Sequence, residues 1–334
     1  FFQAEDGIRD SVASRGRGDV YKRQLLLSAR MGRPKIKFFL DKWISPAQSI
    51  AADLDFMSGV KSSRTPILRV YTYPDDVVLM GRFHRMPLPL NNTRRGVMLV
   101  MRQTGGRVLP SGQGFLQFSL ILPHQSFLLS DDPQRIAPFQ ILNRYVRPFL
   151  QGLKALRYEA FYPGLDFLTI GRRPVGWLSF VTDETGVLLC EGGLFLSRDM
   201  SALSRFLEVI DPGGSVHSNI FLAGQTTTLE EERGQPFSLD DVVELLTIGF
   251  QKEYGLDCLE QTDDYVGTPL RHKQVLQKSV GCRPPLPHTD FSHSATMRTV
   301  LGELEVQFSL TSENTIRDIS FSGDIIADPE GLHI

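Results

Sequence analysis

RQTGGRVLPSGQGFLQFSL, Arg102 to Leu120, decides how the chain is read. Gly105, Gly106, Gly112, Gly114 and Pro110 stand between a basic residue and a run in which apolar positions recur as in a strand. A loop therefore feeds a strand. Gly105 and Gly106 carry no side chain to keep another group away, so their N–H groups can approach an anion or a flat apolar chain, with Arg102 and Arg107 supplying positive charge. The same letters also fit a glycine-rich turn with two solvated arginines. The spacing gives neither GxxxxGK[ST] nor GxGxxG, so it supports neither a Walker loop nor a Rossmann turn.

Outward from this segment the chain alternates strands and helices. ILRVYTY and VVLMGR read as strands separated by the turn letters PDD, and VMLVMR leads as a buried strand into the glycines. SPAQ, Ser45 to Gln48, offers an N-cap serine, a proline in the first turn and a glutamine able to close a capping box. Ala47, Ile50, Ala51, Leu54 and Met57 then recur at helical spacing. From Asp132 to Leu156 the pattern is helical, with Pro133 in the first turn and Pro148 set to kink it. Ser238 and Asp241 form another capping box, Phe237 and Val242 a hydrophobic staple, and Gly255 a helix stop. Downstream of the proline-rich GCRPPLPH, GELEVQFSL and IRDISFSGDII pair as a hairpin around SEN. The core expected from this order is a sheet with helices on it, followed by a small α+β unit.

Composition narrows the partners. At 334 residues and 41% hydrophobic content the chain can bury one large core or two smaller ones. A net charge of −2 gives no general field for nucleic acid, and no apolar stretch approaches the ~20 residues needed to cross a bilayer. Cys190, Cys258 and Cys282 match no disulfide or zinc spacing, which points to reduced thiols and a cytoplasmic location. The histidines form no i, i+4 pair, so no metal site is expected; His217 alone stands near a pair of glycines. Residues 1–24 mix both charge signs without apolar periodicity and are expected to be a non-native or disordered tail.

A second constellation is LDFLTIGRRPVG, Leu165 to Gly176. An acid on one strand, a turn at Gly171 and arginines returning on the next strand could bring Asp166 and Arg173 together. A solvated hairpin tip is the plainer reading.

Taken together, the two segments resemble the biotin and lipoate protein ligase superfamily, most closely a divergent lipoate-protein ligase. The opening stretch is similar to that family's RRxTGGGAVxHxxGNLNxS, with Arg102, Thr104, Gly105, Gly106, Gly114, Leu116, Phe118 and Ser119 on matching positions. VVLMGRF resembles the preceding VxIGRxQ through Gly81 and Arg82. Asp166, Gly171 and Gly176 follow in the order of the family's ND, turn and GxKxxG. The chain departs from the pattern at several of these places. Arg173 stands for the lysine, Arg107 for the third glycine, Ser111 for the loop histidine and Leu165 for the asparagine. Trp177 replaces a small residue, and Glu191 with Gly192 replaces a His-Gly pair. Ser111 in GRxxxS leans toward the biotin-ligase form of the loop.

The resemblance implies an α/β (α+β) fold: a mixed sheet flanked by helices over residues 25–260, then an α+β accessory domain over 261–334. It implies ATP-dependent activation of lipoate or octanoate to an acyl-adenylate, with Mg²⁺ accompanying ATP. The acyl group then passes to a lysine of a lipoyl carrier domain, of a 2-oxoacid dehydrogenase or a glycine-cleavage H-type protein. By the same resemblance Arg173 is the catalytic cation, and Arg82, Arg102, Thr104, Gly105, Gly106, Arg107, Ser111, Asp166 and Gly176 bind the acyl-adenylate. Two other readings remain. One is a non-catalytic lipoate- or acyl-binding protein. The other is an octanoyl or lipoyl transferase working through a thiol, for which Cys190 is the candidate; IDPGG, Ile210 to Gly214, puts Gly213 where transferases carry their cysteine.

Overall fold

In the computed structural model, residues 35–84, 93–94, 97–129, 137–198, 225–256, 259–261, 291–299 and 301–327 are described. The tail at 1–24, IDPGG, His217, Cys258 and Cys282 lie outside them. Helix α1 (Pro46–Ser63) starts on the capping box written in the sequence, Ser45 accepting from the Gln48 N–H and Gln48 accepting from the Ser45 N–H. It packs against an eight-stranded sheet in the order β12 (Leu259–Gln261), β1 (Ile36–Asp41), β2 (Ile67–Tyr71), β7 (Phe115–Leu122), β11 (Leu188–Phe195), β10 (Arg173–Thr182), β9 (Phe167–Ile170) and β8 (Ala160–Phe161). The pairs β12–β1 and β1–β2 are parallel and the rest antiparallel. β1 lies outside the strands expected from the sequence, although its Ile36 and Phe38 are core residues.

The sheet buries both faces, and its register sorts the residues. Leu68, Leu120, Cys190 and Phe180 are successive cross-strand neighbours on one face. They belong to the core shared with α2 (Pro138–Tyr145), α3 (Arg147–Ala155) and α5 (Leu239–Tyr254). One residue on, the period-2 alternation sends side chains to the other face. There Tyr71, Phe115, Trp177 and Phe195 pack with a second sheet, in the order β4 (Thr93–Arg94), β5 (Val97–Met101), β3 (Val77–Met80) and β6 (Leu109–Ser111). The strands read around PDD and the glycines are thus shared between two sheets, where one was expected. β3 is paired on both edges, by β5 and β6, and β5 by β3 and β4, so neither has an edge left to join the large sheet.

The helix expected over 132–156 is two helices, α2 and α3, meeting at Val146; the stretch 130–136 with Pro133 lies outside the described residues. Pro148 explains the break, since it has no N–H for the Arg144 carbonyl. The Tyr254 hydroxyl from α5 donates to that carbonyl instead, at 3.1 Å. α5 has the expected cap, staple and stop: Ser238 and Asp241 bond reciprocally, Phe237 and Val242 join one core, and Gly255 sits at φ 64°. Short α4 (Leu229–Arg233) precedes it. At the C-terminal end β13 (His293–Thr299), β14 (Gly302–Leu310) and β15 (Ile316–Gly323) form an antiparallel sheet, β14 and β15 being the expected hairpin.

Candidate functional site

The glycine loop between β5 and β6 lies over the face of the large sheet opposite α2, α3 and α5. Its shape is set from inside by Arg102, a 4% exposed side chain. Arg102 donates to the Leu79 carbonyl at 3.1 Å, the Thr104 hydroxyl at 3.1 Å and the Gly105 carbonyl at 2.6 Å. Its guanidinium also lies over the Trp177 ring, 5.0 Å from the centroid. Burial lowers its pKa to about 10, against the pull of Glu191 and Asp166, so it stays charged at neutral pH. Arg102 therefore spends its donors on the loop itself, as a strut that fixes the loop backbone.

Beneath the loop runs a polar row across four strands: Arg69, Ser119, Glu191 and Ser179, each the cross-strand neighbour of the next. Ser179 donates to the Gly105 carbonyl at 2.8 Å. Glu191 accepts from the Thr104 hydroxyl at 2.5 Å and the Thr104 N–H at 3.3 Å. Burial, reinforced by Asp53, pushes the Glu191 carboxyl up to about 7, although Thr104 and Arg102 oppose the shift. Farther along the row Arg69, fully buried, bridges Asp41 at 2.7 Å and Asp53 at 2.5 Å, and Ser119 donates to Asp53 at 2.9 Å. Sequence reasoning placed Glu191 at a departure from the family pattern without a role, because its partner Thr104 is 87 residues away in sequence.

On the outer side, Arg107 Nε donates to both carboxylate oxygens of Asp166, at 2.7 and 3.0 Å. Burial raises the Asp166 pKa and Arg107 opposes it. The Arg82 N–H donates to the Thr104 carbonyl at 2.9 Å while its side chain is exposed. Arg82, Arg102, Thr104, Gly105, Gly106, Arg107 and Asp166 are thereby brought together. What approaches the glycines here is the chain's own backbone. A Cβ on Gly81 would overlap the Gly106 carbonyl, and one on Gly105 the Ile325 carbonyl. The Gly106 N–H donates to Ile325 O at 2.9 Å.

Three expected residues are placed elsewhere. Ser111 is buried in β6 opposite Val77, its hydroxyl without a partner. Gly176 sits where a side chain would run into the Gly193 carbonyl and then Leu194 of the helix-side core. Arg173, expected to line the same cleft as Gly105 and Gly106, pairs across the strands with Ile170 of that same core. It is bound at 2.6 Å to each of Glu231 and Glu232 on α4. The cause is a β-bulge between Pro174 and Gly176, which shifts the alternation by one residue and turns Arg173 away from the face that carries Trp177 and Ser179. Cys190, the thiol candidate, is wholly buried in the helix-side core, where burial pushes its pKa up to about 12. A thiol so placed is neither accessible nor ionised, and the transferase reading through Cys190 is withdrawn.

Residues 45–251, more than half of the chain, match the family described as the lipoyl protein ligase A/B catalytic domain. The chain belongs to this family. Among solved structures, P. falciparum LipL1 in complex with lipoate is similar at TM-score 0.65 and 13% identity, over 87% of this chain and 85% of that one. The bipartite lipoate protein ligase of Thermoplasma acidophilum, described with its E2 lipoyl domain, has TM-score 0.54 and 17% identity over 73% and 91%. A lipoate-protein ligase A bound with ATP has TM-score 0.52 and 17% identity over 73% and 92%. At these identities the likeness is one of fold. No curated protein matches by sequence. Among the described residues no helix is long and apolar enough to cross a membrane.

Proposed function

We propose that this member of the lipoyl ligase family activates lipoate or octanoate with ATP and passes the acyl group to a lysine of a lipoyl carrier domain, of a 2-oxoacid dehydrogenase or H-type protein. The observation that carries the reading is the family match across a glycine loop held rigid by Arg102, Ser179 and Glu191. The acid's carboxylate attacks the α-phosphorus of ATP and pyrophosphate leaves. The carrier amine then attacks the acyl carbon, an amide forms, and AMP leaves with the electron pair of the broken C–O bond. Both steps pass through anionic phosphate, so fixed positive groups and N–H donors lower their barriers. Arg82 and Arg107 are the cations at the loop for this work. Mg²⁺ takes oxygen ligands, but Asp166 spends both oxygens on Arg107. The ion would therefore be carried by the phosphates of ATP.

Arg173, proposed as the catalytic cation from the family lysine, has to leave Glu231 and Glu232 and come round from the helix-side face of the sheet to reach an acyl phosphate at the loop. That ion pair is the specific observation favouring the second reading, an acyl-binding protein without chemistry. Incubation with ATP, Mg²⁺, lipoate and a lipoyl domain is expected to add one lipoyl group to the domain by intact mass. Arg173→Ala should then slow adenylate formation on the order of 10²-fold. An unmodified domain would overturn the ligase reading, and an undiminished Arg173→Ala would remove Arg173 from the chemistry.

A further inference from the structure

Among the described residues five charged side chains are buried, the guanidiniums of Arg69 and Arg102 and the carboxylates of Asp41, Asp53 and Glu191. Three acids against two bases leave one negative charge in excess, and burial makes that charge costly to keep. The hydrogen bonds show which acid carries the excess. Arg69 bridges Asp41 and Asp53, and Ser119 adds a donor to Asp53. Arg102 attracts Glu191 through space but gives its hydrogen bonds to the Leu79 carbonyl, the Thr104 hydroxyl and the Gly105 carbonyl. Glu191 is left with the Thr104 hydroxyl and N–H. Its cross-strand neighbours Ser119 and Ser179 carry no charge, and the two tyrosines within reach of its charge, Tyr71 and Tyr73, are held neutral by burial. Burial and the charge of Asp53 accordingly push the Glu191 carboxyl up to about 7.

Glu191 is also tied to the part of the loop that an anion would meet. Thr104, which it holds by hydroxyl and N–H, accepts the Arg82 N–H on its carbonyl at 2.9 Å and the Arg102 Nε on its hydroxyl at 3.1 Å. One residue thus joins Glu191 beneath the loop to the backbone of Arg82, whose side chain is exposed. We propose that Glu191 is a positioning residue whose charge is exchanged for the ligand's: ionised in the free protein, it anchors Thr104, and it takes up a proton from solvent when an acyl-adenylate settles at Arg82 and Arg107. This rests on the acyl-activating reading above. An anion over the loop places a second negative charge above the buried carboxylate, and like charges raise each other's proton affinity. The protonated carboxyl donates to Thr104 Oγ1 where the carboxylate accepted from it, so the contact outlasts the change of charge. Binding and protonation then favour each other. With the free carboxyl ionised above about pH 7, affinity falls as the pH rises through that value.

The test is titration calorimetry of the full chain with a stable octanoyl-adenylate analogue in which an N-acyl sulfamate replaces the acyl phosphate, a monoanion that does not itself titrate near neutrality. Heats measured at one pH in buffers of different ionisation enthalpy count the protons taken up. At about pH 8 the wild type is expected to take up about half a proton per ligand, and its affinity should fall about fivefold from pH 6 to pH 8. Glu191→Gln keeps an acceptor for Thr104 and has nothing to titrate. Thr104→Val removes the hydroxyl that favours the carboxylate, so that Glu191 already holds its proton before the ligand arrives. Uptake should largely disappear in both. No uptake by the wild type, or uptake that persists in Glu191→Gln (in Thr104→Val, should the first variant not fold), would overturn the inference, while binding of the analogue leaves the acyl-activating reading standing. An analogue that does not bind the wild type would overturn both.

Discussion

Glu191 and Arg69 are charged residues that the fold takes out of water, and they behave oppositely. Glu191 has one hydroxyl and one N–H from Thr104 for its carboxylate, too little to offset burial, so its folded pKa of about 7 lies above the ordinary 4.5. Its contribution to stability is full below about pH 4.5 and is lost as the pH rises through 7. Glu191→Gln keeps an acceptor for Thr104 and removes the titration. The melting temperature of the variant minus that of wild type should therefore grow from pH 5 to pH 8, and a difference independent of pH would contradict the assignment. Arg69 instead neutralises Asp41 and Asp53 together. Arg69→Met strands two buried carboxylates, and a loss of about 3–5 kcal/mol in denaturant unfolding is expected. The sequence assigns neither residue a role, because an acid or a base inside a strand reads as solvent-facing until the opposite layer is known. Arg102, by contrast, is legible from its place before the glycines, although its task proves to be shaping the loop.

Elements with local causes follow the sequence closely. The caps at Ser45 and Ser238, the stop at Gly255 and the hairpin through Gly171 at φ 55° and Arg172 at φ 69° depend on neighbouring residues, so their letters suffice. Pro148 likewise announces the break between α2 and α3. Tyr254→Phe should cost about 1 kcal/mol by leaving the Arg144 carbonyl without its donor, measured as a shift in urea midpoint at constant slope. What the letters do not carry is the phase of β10. Counting by twos from Ser179 through Trp177 puts Arg173 on the loop face. The bulge at Pro174 reverses that, and it arises from pairing with β9, which no single strand encodes. The division of strands between two sheets is hidden for the same reason: it depends on which partners β3 and β5 take.

At the scale of the molecule, the glycine loop is where the parts meet. β3 ends against it through Gly81, the polar row of the large sheet holds it from below, and the C-terminal segment lies on it through Ile325. Phe83 before the loop, Leu304 in β14 and Ile325 share one apolar cluster, so the small C-terminal sheet is seated on this region. The glycines were legible as a place of close approach, and the family pattern gave the chemistry that such a place serves. That the approaching group is the protein's own backbone involves residues more than 200 positions away and could not be read locally. Under the proposed function this assembly activates a carboxylic acid with ATP. Exchange of radiolabelled pyrophosphate into ATP, with lipoate, octanoate and biotin each supplied in turn, measures that step without any carrier. Exchange that depends on at least one of the acids is predicted; no exchange with any of them, while an acid still binds, would contradict it.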